Sequence, residues 1–361
     1  YQPPTKKKRS YLMKDLLINK IFENIDYYHK QKKNKRAGVI IASISVNDPD
    51  YYYHWIRDSA LTMKTIIDYY IKTNDPKCFK QIINYIENEY ELQVIDTMSG
   101  LGEPKFNVDR TSFNESWGRP QNDGPALRGI AMIKIYNILK TDHYKLSEFV
   151  LSIIKRDLEY ILDNINSPSY DLWEEIYGYH LYTRLVQHKF LKDIIDYKIN
   201  VAIYKRNTSK KIMTCKEKLK ELITHHKIAN TSFDENGKIV REFDASILLA
   251  MAHIDYDNEN INIFSSEFIY HIKELISFYR HEYNINNKLD FILLGRYKND
   301  KYFNGNPWII TTCALVQLLN IYKKNNIFIK DLNIDVFVSN FKKYIKNIDN
   351  LDIAEQVDLS L

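Results

Sequence analysis

Residues 124–164 read GPALRGIAMIKIYNILKTDHYKLSEFVLSIIKRDLEYILDN. This stretch carries two successive apolar stripes in which every third or fourth residue is apolar, the spacing of one face of a helix. The first stripe is formed by Ile130, Ile133, Tyr136 and Leu139, and the second by Leu151, Ile154, Leu158 and Leu162. Because a short polar segment separates them, the stretch predicts two consecutive helices of similar length.

The same periodicity recurs along the chain and predicts about eleven helices. They are expected near residues 10–30, 58–73, 76–91, 124–140, 145–164, 178–204, 210–227, 243–255, 264–283, 306–324 and 332–347. Only ten glycines and nine prolines in 361 residues argue against an all-β fold, which needs many turns. No Gly/Ser-rich or Pro-rich linker divides the chain, so residues 1–361 are predicted to form a single domain.

Long polar loops rich in aromatic residues separate the predicted helices. They cover residues 45–57, 97–123, 166–177, 285–306 and 348–361. Long loops in a compact helical domain usually carry function, and a helical toroid or solenoid places many loops at one rim. Weak signals for short strands occur at residues 38–46 and 286–294. Asn306-Pro307 is typical of an N-cap followed by proline at the first helical position.

The composition narrows the range of partners. The net charge of +5 is spread along the chain. Two short basic runs, at 6–9 and 30–36, are interpreted as a solvated terminus and a solvated loop rather than a nucleic-acid surface. No apolar run is long enough to span a bilayer, so no membrane insertion is expected. Three widely spaced cysteines imply no disulfide framework, and the ten histidines lack the spacing of metal ligands.

Residues 50–59, DYYYHWIRDS, combine aromatic rings with a charged pair. Arg57 and Asp58 offer a donor fork and an acceptor pair that suit the hydroxyl groups of a small polar ligand. Tyr51 and Trp55 supply an apolar floor, against which the C–H faces of a sugar can pack. The alternative is that Asp58 only caps a helix while the aromatic rings pack in the core.

Two further loops have the same mixture of rigid backbone, aromatic rings and charge. Residues 100–125 contain several glycines and prolines and are predicted to display Lys105, Trp117 and Arg119. Residues 295–308 add Arg296 and Trp308 at the start of a predicted helix. An irregular connector is the alternative interpretation of the first loop.

Two acidic positions carry the chemical hypothesis. The sequence Tyr170-Asp171-Leu172-Trp173-Glu174-Glu175 places adjacent carboxylates beside a tryptophan, and Glu355 lies near the C-terminus. If Glu174 and Glu175 lie on a helix, their side chains diverge by about 100°, so only one points into a pocket. Cleaving a bond between sugars requires aromatic walls and two separated acids in different protonation states. Two surface glutamates near a helix start are the alternative.

Taken together and in this order, the motifs resemble glucoamylase, glycoside hydrolase family 15. The matching stretches are YHWIRDS at 53–59, GLGEPKFNVD at 100–109, WGRPQ at 117–121, DGPALR at 123–128, DLWEE at 171–175, GRY at 295–297, YFNGNPW at 302–308 and AEQ at 354–356. The resemblance implies an all-α (α/α)6 barrel with its active site in a pocket at one rim. It also implies stepwise release of glucose, with inversion, from the non-reducing ends of α-1,4-linked glucans.

The resemblance also implies a role for each matched residue. Glu174 matches the general acid, and Glu355 matches the base that activates water. Arg57 and Asp58 match the residues that hold the terminal glucose, with Tyr51 and Trp55 lining its subsite. The remaining pocket positions are Lys105, Trp117, Glu175, Arg296 and Trp308. The substrate is then an α-glucan, no cofactor or metal is needed, and a monomer is expected.

Several features leave alternatives open. After Glu175 the chain reads Ile176-Tyr177-Gly178-Tyr179-His180, where the family usually has small polar residues. The chain ends six residues after Glu355, so we expect the closing helix of the barrel to be absent from it. A non-catalytic regulatory domain, as in the phosphorylase kinase α and β subunits, and another helical-barrel glycosidase such as a trehalase are the competing hypotheses. Because a targeting segment can precede Tyr1, secreted, vacuolar and intracellular locations all remain open.

Overall fold

The computed structural model describes residues 6–26, 37–47, 49–199 and 208–358. Helices dominate these residues. They are α1 Lys6–Glu23, α2 Ile56–Thr73, α3 Pro76–Leu92, α4 Asp123–Leu139, α5 Tyr144–Asn164, α6 Leu181–Asp196, α7 Thr208–His226, α8 Ser246–His253, α9 Ser266–Glu282, α10 Ile309–Lys324 and α11 Ile334–Lys346. The eleven helices in the described part of the chain confirm the number that the apolar periodicity predicts.

Six short strands and four 3₁₀ helices accompany the helices within the same residues. The strands are β1 His54–Trp55, β2 Lys105–Phe106, β3 Ser169–Tyr170, β4 Tyr177–His180, β5 Asn230–Asp234 and β6 Ile239–Glu242. The 3₁₀ helices are Gly100–Gly102, Asn284–Lys288, Tyr302–Gly305 and Asp349–Leu351. The short strands expected at 38–46 and 286–294 are not formed, since the first range makes only isolated bridges and the second begins in a 3₁₀ helix.

Several helix ends differ from the prediction for local reasons. The helix expected at 178–204 starts at Leu181, because Tyr177–His180 pairs as strand β4. Asn306-Pro307 does not begin α10, since Trp308 occupies the N-cap with extended backbone. At the start of α3 the cap is the one that the residue types favour: Asp75 accepts a hydrogen bond from the Lys77 backbone N–H, and Pro76 follows it.

The chain divides into two compact units. The first contains Tyr1–Tyr170 and Phe190–Lys216, and the second contains Asp171–Lys189 and Glu217–Leu361. Helices α1–α5 and strands β1–β3 therefore belong to the first unit, and α8–α11 and β4–β6 to the second. Helices α6 and α7 contribute residues to both units. That the whole chain acts as a single catalytic domain stays a prediction.

The first unit is built around α4, which packs against both α2 and α5. Helix α4 is apolar on most of its surface, and Ala126, Leu127, Ile130, Ile133 and Leu139 have no exposed area. A helix that is apolar all round needs neighbours on every side, as in the centre of a helical core. The apolar stripe seen in the sequence around residue 130 is therefore only part of the surface that this helix buries.

A buried ionic network links four elements of this unit. Arg128 of α4 donates two hydrogen bonds of 2.9 and 2.6 Å to Asp157 of α5, and one of 3.3 Å to Glu89 of α3. Glu89 also lies 2.9 Å from Nε2 of His54, on strand β1. All four side chains are at most 2% exposed. The network thus fixes β1, which carries the predicted sugar-binding residue Trp55, to three core helices.

The second unit combines helices with the antiparallel strands β4, β5 and β6, which pair in that order. Gly178 pairs with Asp234 across β4 and β5, and Ser232 pairs with Arg241 across β5 and β6. Helix α10 packs against α8 and α11. The sheet directly follows the acid motif at 171–175, so its strands determine where that motif is held.

Two observations concern partners. No helix in the described ranges is long and apolar enough to cross a membrane. The second basic run, 30–36, lies outside the described residues, and the first, 6–9, falls within α1.

Replacing Arg128 with methionine should destabilise the protein strongly. The variant leaves Glu89 and Asp157 as buried carboxylates without their guanidinium partner, and breaking a buried pair in this way costs about 3–5 kcal/mol. Urea unfolding followed by circular dichroism measures the free energy of unfolding. Lys80→Met, at an exposed position of α3, is the control and should change it by less than about 0.5 kcal/mol. An Arg128→Met variant as stable as this control would contradict the structural role.

Candidate active site

The first unit brings together the aromatic residues that the sequence singled out. Strand β1 pairs with β2 so that Trp55 lies opposite Lys105. The rings of Tyr51 and Trp55 meet edge to face with centroids 6.1 Å apart, and Trp117 lies 6.2 Å from Trp55. Trp117 is 37% exposed, so one ring of this group still faces solvent. The arrangement gives an aromatic surface of the kind on which sugar rings stack.

Lys105 lies beneath this surface rather than being displayed by its loop. Its side chain is buried, and its Nζ lies 3.2 Å from the ring centroid of Trp117 and 4.6 Å from that of Trp55. The rings of Tyr53 and Phe113 are 4.3 and 4.2 Å away. A cation over several aromatic faces is stabilised by their quadrupoles, more strongly when it is desolvated. Lys105 therefore ties the aromatic residues of two loops together, which the sequence did not predict.

Arg57 and Asp58 occupy the first turn of α2. The Arg57 guanidinium donates hydrogen bonds of 2.9 Å to Gln121 and 2.7 Å to Asp123. The Arg57 side chain is 10% exposed. Asp58 is 44% exposed, 4.0 Å from Arg57. The interpretation of Asp58 as a helix cap is wrong, because Trp55 is the N-cap and makes no side-chain cap hydrogen bond. Arg57 is thus held in one orientation, while the Asp58 carboxylate is accessible.

His54 was not among the predicted site residues, although it lies inside the motif. Its Nδ1 accepts a 2.9 Å hydrogen bond from the backbone N–H of Ile40. This contact assigns the ring proton to Nε2, which donates to Glu89. His54 therefore connects the strand that carries Trp55 to the buried ionic network. A histidine next to a tryptophan in a strand was the only signal in the sequence.

In the second unit, the acid motif forms a turn between β3 and β4 and is not helical. Asp171 organises this turn: its carboxylate accepts the backbone N–H groups of Glu175 at 2.8 Å and Ile176 at 2.9 Å. Burial by itself would raise the pKa of Asp171, but Arg241, His180 and these two N–H donors bring it below its ordinary value. Asp171 is therefore an anion that holds the backbone immediately after Glu174.

Glu174 and Glu175 are separated by backbone conformation rather than by helical geometry. Glu174 has φ of 64°, a left-handed conformation that is rare for a residue with a side chain, and is half-buried. The two carboxylate oxygens of Glu175 are held separately. Arg296 donates a hydrogen bond of 2.7 Å to Oε1. Oε2 accepts hydrogen bonds of 2.8 Å from Arg241 and 2.5 Å from the Tyr297 hydroxyl. Glu175 is thus a fixed carboxylate between two guanidinium groups.

Trp173 is oriented by a buried carboxylate that the sequence did not suggest. Its Nε1 donates to both oxygens of Asp244, each at 3.1 Å. Asp244 also accepts the backbone N–H of Ser246 at 2.6 Å. Burial raises the pKa of Asp244 to about 6, against the opposing effects of Arg241, Ser246 and Trp173. Asp244 therefore holds Trp173 in place through a carboxyl group whose pKa burial has raised.

The predicted positions Arg296 and Trp308 lie near Trp173 in this unit. The rings of Trp173 and Trp308 meet with centroids 5.6 Å apart, and the Arg296 guanidinium lies 5.4 Å from the first and 5.1 Å from the second. Arg296 also donates 2.7 and 2.6 Å to Asp300. Two tryptophans, an arginine and Glu175 thereby form one rigid group.

Glu355 lies on a segment that is docked against the start of α10. Its carbonyl accepts the backbone N–H of Ile309 at 2.9 Å, and the Val357 N–H donates 2.9 Å to Pro307. Gln356 forms a bridge with Trp308 between these two contacts. The residue is exposed, so its carboxyl can reach solvent. Because Gln356 pairs with Trp308, the backbone of the preceding residue, Glu355, is held next to Trp308.

The structure adds three charged residues to those predicted: Arg241, Asp244 and Asp300. Arg241 and Asp244 belong to the stretch REFDAS at 241–246, and Asp300 follows the GRY motif by three residues. Arg241 and Asp244 lie outside the aromatic-rich loops, whereas Asp300 lies within the loop at 285–306 but had no feature that singled it out. Among the described residues, no cluster of three or more His, Cys, Asp or Glu side chains could hold a metal ion.

Comparison with known proteins gives a consistent result. Residues 18–354 match the family model described as Glycosyl hydrolases family 15. The chain is 32% identical over 324 residues to Glucoamylase-1 of Arthroderma benhamiae, covering 84% of this chain and 52% of that protein. It is 33% identical over 333 residues to a probable glucoamylase of Schizosaccharomyces pombe, covering 86% and 70%. The solved glucoamylase of Saccharomycopsis fibuligera has a TM-score of 0.81 at 25% identity, covering 95% of this chain and 88% of that one.

These comparisons place the chain in the class of glycoside hydrolases. Within that class, this chain belongs to glycosyl hydrolases family 15. The resemblance to glucoamylase and the all-α (α/α)6 fold class are both confirmed, with the small sheet of β4–β6 as an addition. The chain spans 52% and 54% of the length of the first two curated relatives.

The buried Asp244 should make stability depend on pH in a defined direction. Its folded-state pKa of about 6 lies above the ordinary value of 3.8, so the folded protein binds more protons between these values. Its contribution to stability therefore falls as pH rises through that window, by about 3 kcal/mol at most. Urea unfolding of the wild type and Asp244→Asn from pH 3.5 to 7 measures it. As pH rises, the free energy of unfolding of the wild type should fall relative to that of Asp244→Asn. A difference between the two that does not depend on pH would contradict the assignment.

Proposed function

We propose that this protein is an exo-acting, inverting glycoside hydrolase that releases β-D-glucose from the non-reducing ends of α-1,4-linked glucans. Starch, glycogen and malto-oligosaccharides are the substrates that fit this activity. Membership of family 15 and the printed names of the relatives, which are glucoamylases, support the reaction class. We assign no cofactor, and we expect a monomer to suffice because one chain supplies every matched residue.

The observation that carries the proposal is that, of the two adjacent glutamates in the acid motif, Glu175 is bound by two arginines. Glu175 is bound by both Arg241 and Arg296, so its carboxylate is held in one place and is suited to contacting a ligand. Glu174 therefore receives the role of general acid, which its place in the motif implies. Trp173 beside it is held by Asp244, so the aromatic wall next to the acid is fixed in orientation.

The mechanism requires two carboxyl groups in opposite protonation states. Glu174 donates a proton to the glycosidic oxygen as the bond from that oxygen to the anomeric carbon breaks. Glu355 accepts a proton from a water molecule, whose oxygen attacks the anomeric carbon from the opposite face. Single displacement inverts the configuration, so an α-linked glucose leaves as the β-anomer. Inverting enzymes hold the two carboxyls roughly 6.5–9.5 Å apart to admit the water, and we expect this spacing here.

We assign substrate binding to the remaining matched residues. In the first unit, Arg57 and Asp58 hold the hydroxyls of the terminal glucose, since the one is anchored and the other accessible. The aromatic group contributes stacking surface through Tyr51, Trp55 and Trp117, with Lys105 fixing the rings. In the second unit, Glu175, Arg296 and Trp308 bind the sugars around the scissile bond.

Replacing either catalytic acid with its amide should abolish most turnover while leaving the fold intact. We expect Glu174→Gln and Glu355→Gln to lower kcat on maltoheptaose by about 10³-fold, since a positioned acid or base contributes about 10²–10⁴-fold. Glucose release is measured against total folded protein, determined by circular dichroism.

Glu235→Gln is the matched control, because Glu235 is an exposed glutamate in the turn between β5 and β6. Its kcat should stay within twofold of the wild type. If Glu174→Gln kept most of the activity, Glu174 could not be the general acid. If both acid variants were active, the proposed mechanism would be wrong.

A further inference from the structure

Arg241 is a buried arginine at the centre of the acid motif's contacts. It lies on β6, and its side chain is 6% exposed. One terminal nitrogen, NH1, contacts the Asp171 carboxylate, and the other, NH2, donates 2.8 Å to Glu175. The plane of the guanidinium lies 3.8 Å from the ring centroid of Tyr297, and NH1 is 3.6 Å from Asp244. A single side chain thus joins both ends of the turn at 171–175.

The strands of the sheet and the Arg241 side chain together connect the turn back to its own start. The turn leads directly into β4, which pairs with β5, which in turn pairs with β6. Ser232 of β5 stands opposite Arg241, and the Thr231 hydroxyl donates 3.3 Å to the Arg241 carbonyl. The Arg241 side chain then contacts the carboxylate of Asp171, the first residue of the turn. Because the side chain leaves a paired strand, its guanidinium is held by the sheet and does not depend on a flexible loop.

The chemistry of the contact requires arginine. A guanidinium is planar and presents several N–H donors in a fixed fork, so it can bind two carboxylates at once, whereas lysine carries one compact charge. Stacking on Tyr297 uses the flat face of the same group. Without Arg241, Asp171 would keep only its two backbone donors, and Glu175 would keep only Arg296 and Tyr297.

The turn places Glu174 between the two carboxylates that Arg241 binds. Glu174 holds a left-handed backbone conformation with φ of 64°, and its N–H donates 2.9 Å to the Asp171 carbonyl. Such a conformation persists only where the surroundings enforce it. Fixing the side chains of Asp171 and Glu175 on either side supplies that constraint.

We propose that Arg241 is a positioning residue for the reaction, which clamps Asp171 to Glu175 and thereby sets the orientation of Glu174. This inference rests on the proposed function for the role of Glu174, but the clamp itself is a property of the turn. A guanidinium on a paired strand is the device that keeps two adjacent glutamates in different orientations.

The test compares Arg241→Met, which removes the charge, with Arg241→Lys, which keeps it without the fork. For Arg241→Met we expect kcat on maltoheptaose to fall about 100-fold, the effect of misplacing a reacting group by about 1 Å, while KM rises less than tenfold. Arg241→Lys should have a kcat about tenfold higher than Arg241→Met. Because it keeps the buried positive charge, it also serves as the variant that is expected to fold. Arg280→Met, at an exposed arginine in the last turn of α9, is the control and should leave both constants within twofold.

Hydrogen exchange measured by mass spectrometry provides a readout that does not depend on activity. The amides of Glu175 and Ile176 bind Asp171, so they should be protected in the wild type and exchange at least tenfold faster in Arg241→Met. Protection in α10 should not change. Unaltered exchange at 171–176, or a kcat within twofold of the wild type in both variants, would overturn the positioning role. If the wild type released no glucose, the proposed function would fail, and exchange alone would decide the clamp.

Discussion

The carboxylate of Asp171 is the contact on which the arrangement of the acid motif depends. It accepts two backbone N–H groups from the turn and the guanidinium of Arg241, and these donors bring its pKa below the ordinary value despite burial. A buried carboxylate satisfied in this way costs little, whereas the same group without its donors would be strongly unfavourable. The turn that holds Glu174 in its left-handed conformation is anchored by this anion, and Arg241 connects the anion to Glu175.

Each unit uses buried charge in its own way. In the first, Arg128 joins Glu89 and Asp157 in the core, and His54 extends that network to the strand of Trp55. In the second, two arginines bind the acids of the motif directly. The residues proposed to bind sugar and to carry the acid chemistry therefore contact networks of charged side chains, which are buried in the first unit and reach the partly exposed Glu175 in the second. Rigid placement of such groups is what catalysis by positioned acids requires.

Much of this organisation could be predicted from the sequence, for physical reasons. The helices were predictable because apolar residues recur in them at helical spacing, and α4 is buried on most sides, beyond the single stripe seen in its sequence. The motif residues were predictable because aromatic rings, glycines and charges rarely cluster in loops without a function. Their order along the chain then gave the family.

What the sequence did not predict are contacts between residues distant in the chain. Arg241 reaches Asp171 and Asp244 reaches Trp173 only through strand pairing, and period-two patterns in strands of four or five residues are too short to detect. Burial of Lys105 was missed for the same reason, since its cage comes from rings on two loops. The helix ends at Leu181 and Ile309 were displaced because an adjacent strand or bridge uses the preceding residues.

The most direct test of the account follows the anomeric proton of the product by NMR while the 361-residue chain acts on maltoheptaose. The account predicts that glucose appears first as the β-anomer, and that maltohexaose is the only other early product. Release of α-glucose would contradict the inverting pair Glu174 and Glu355. Internal cleavage to shorter oligosaccharides would contradict the exo-acting mode, and no release from the folded chain would contradict catalysis itself.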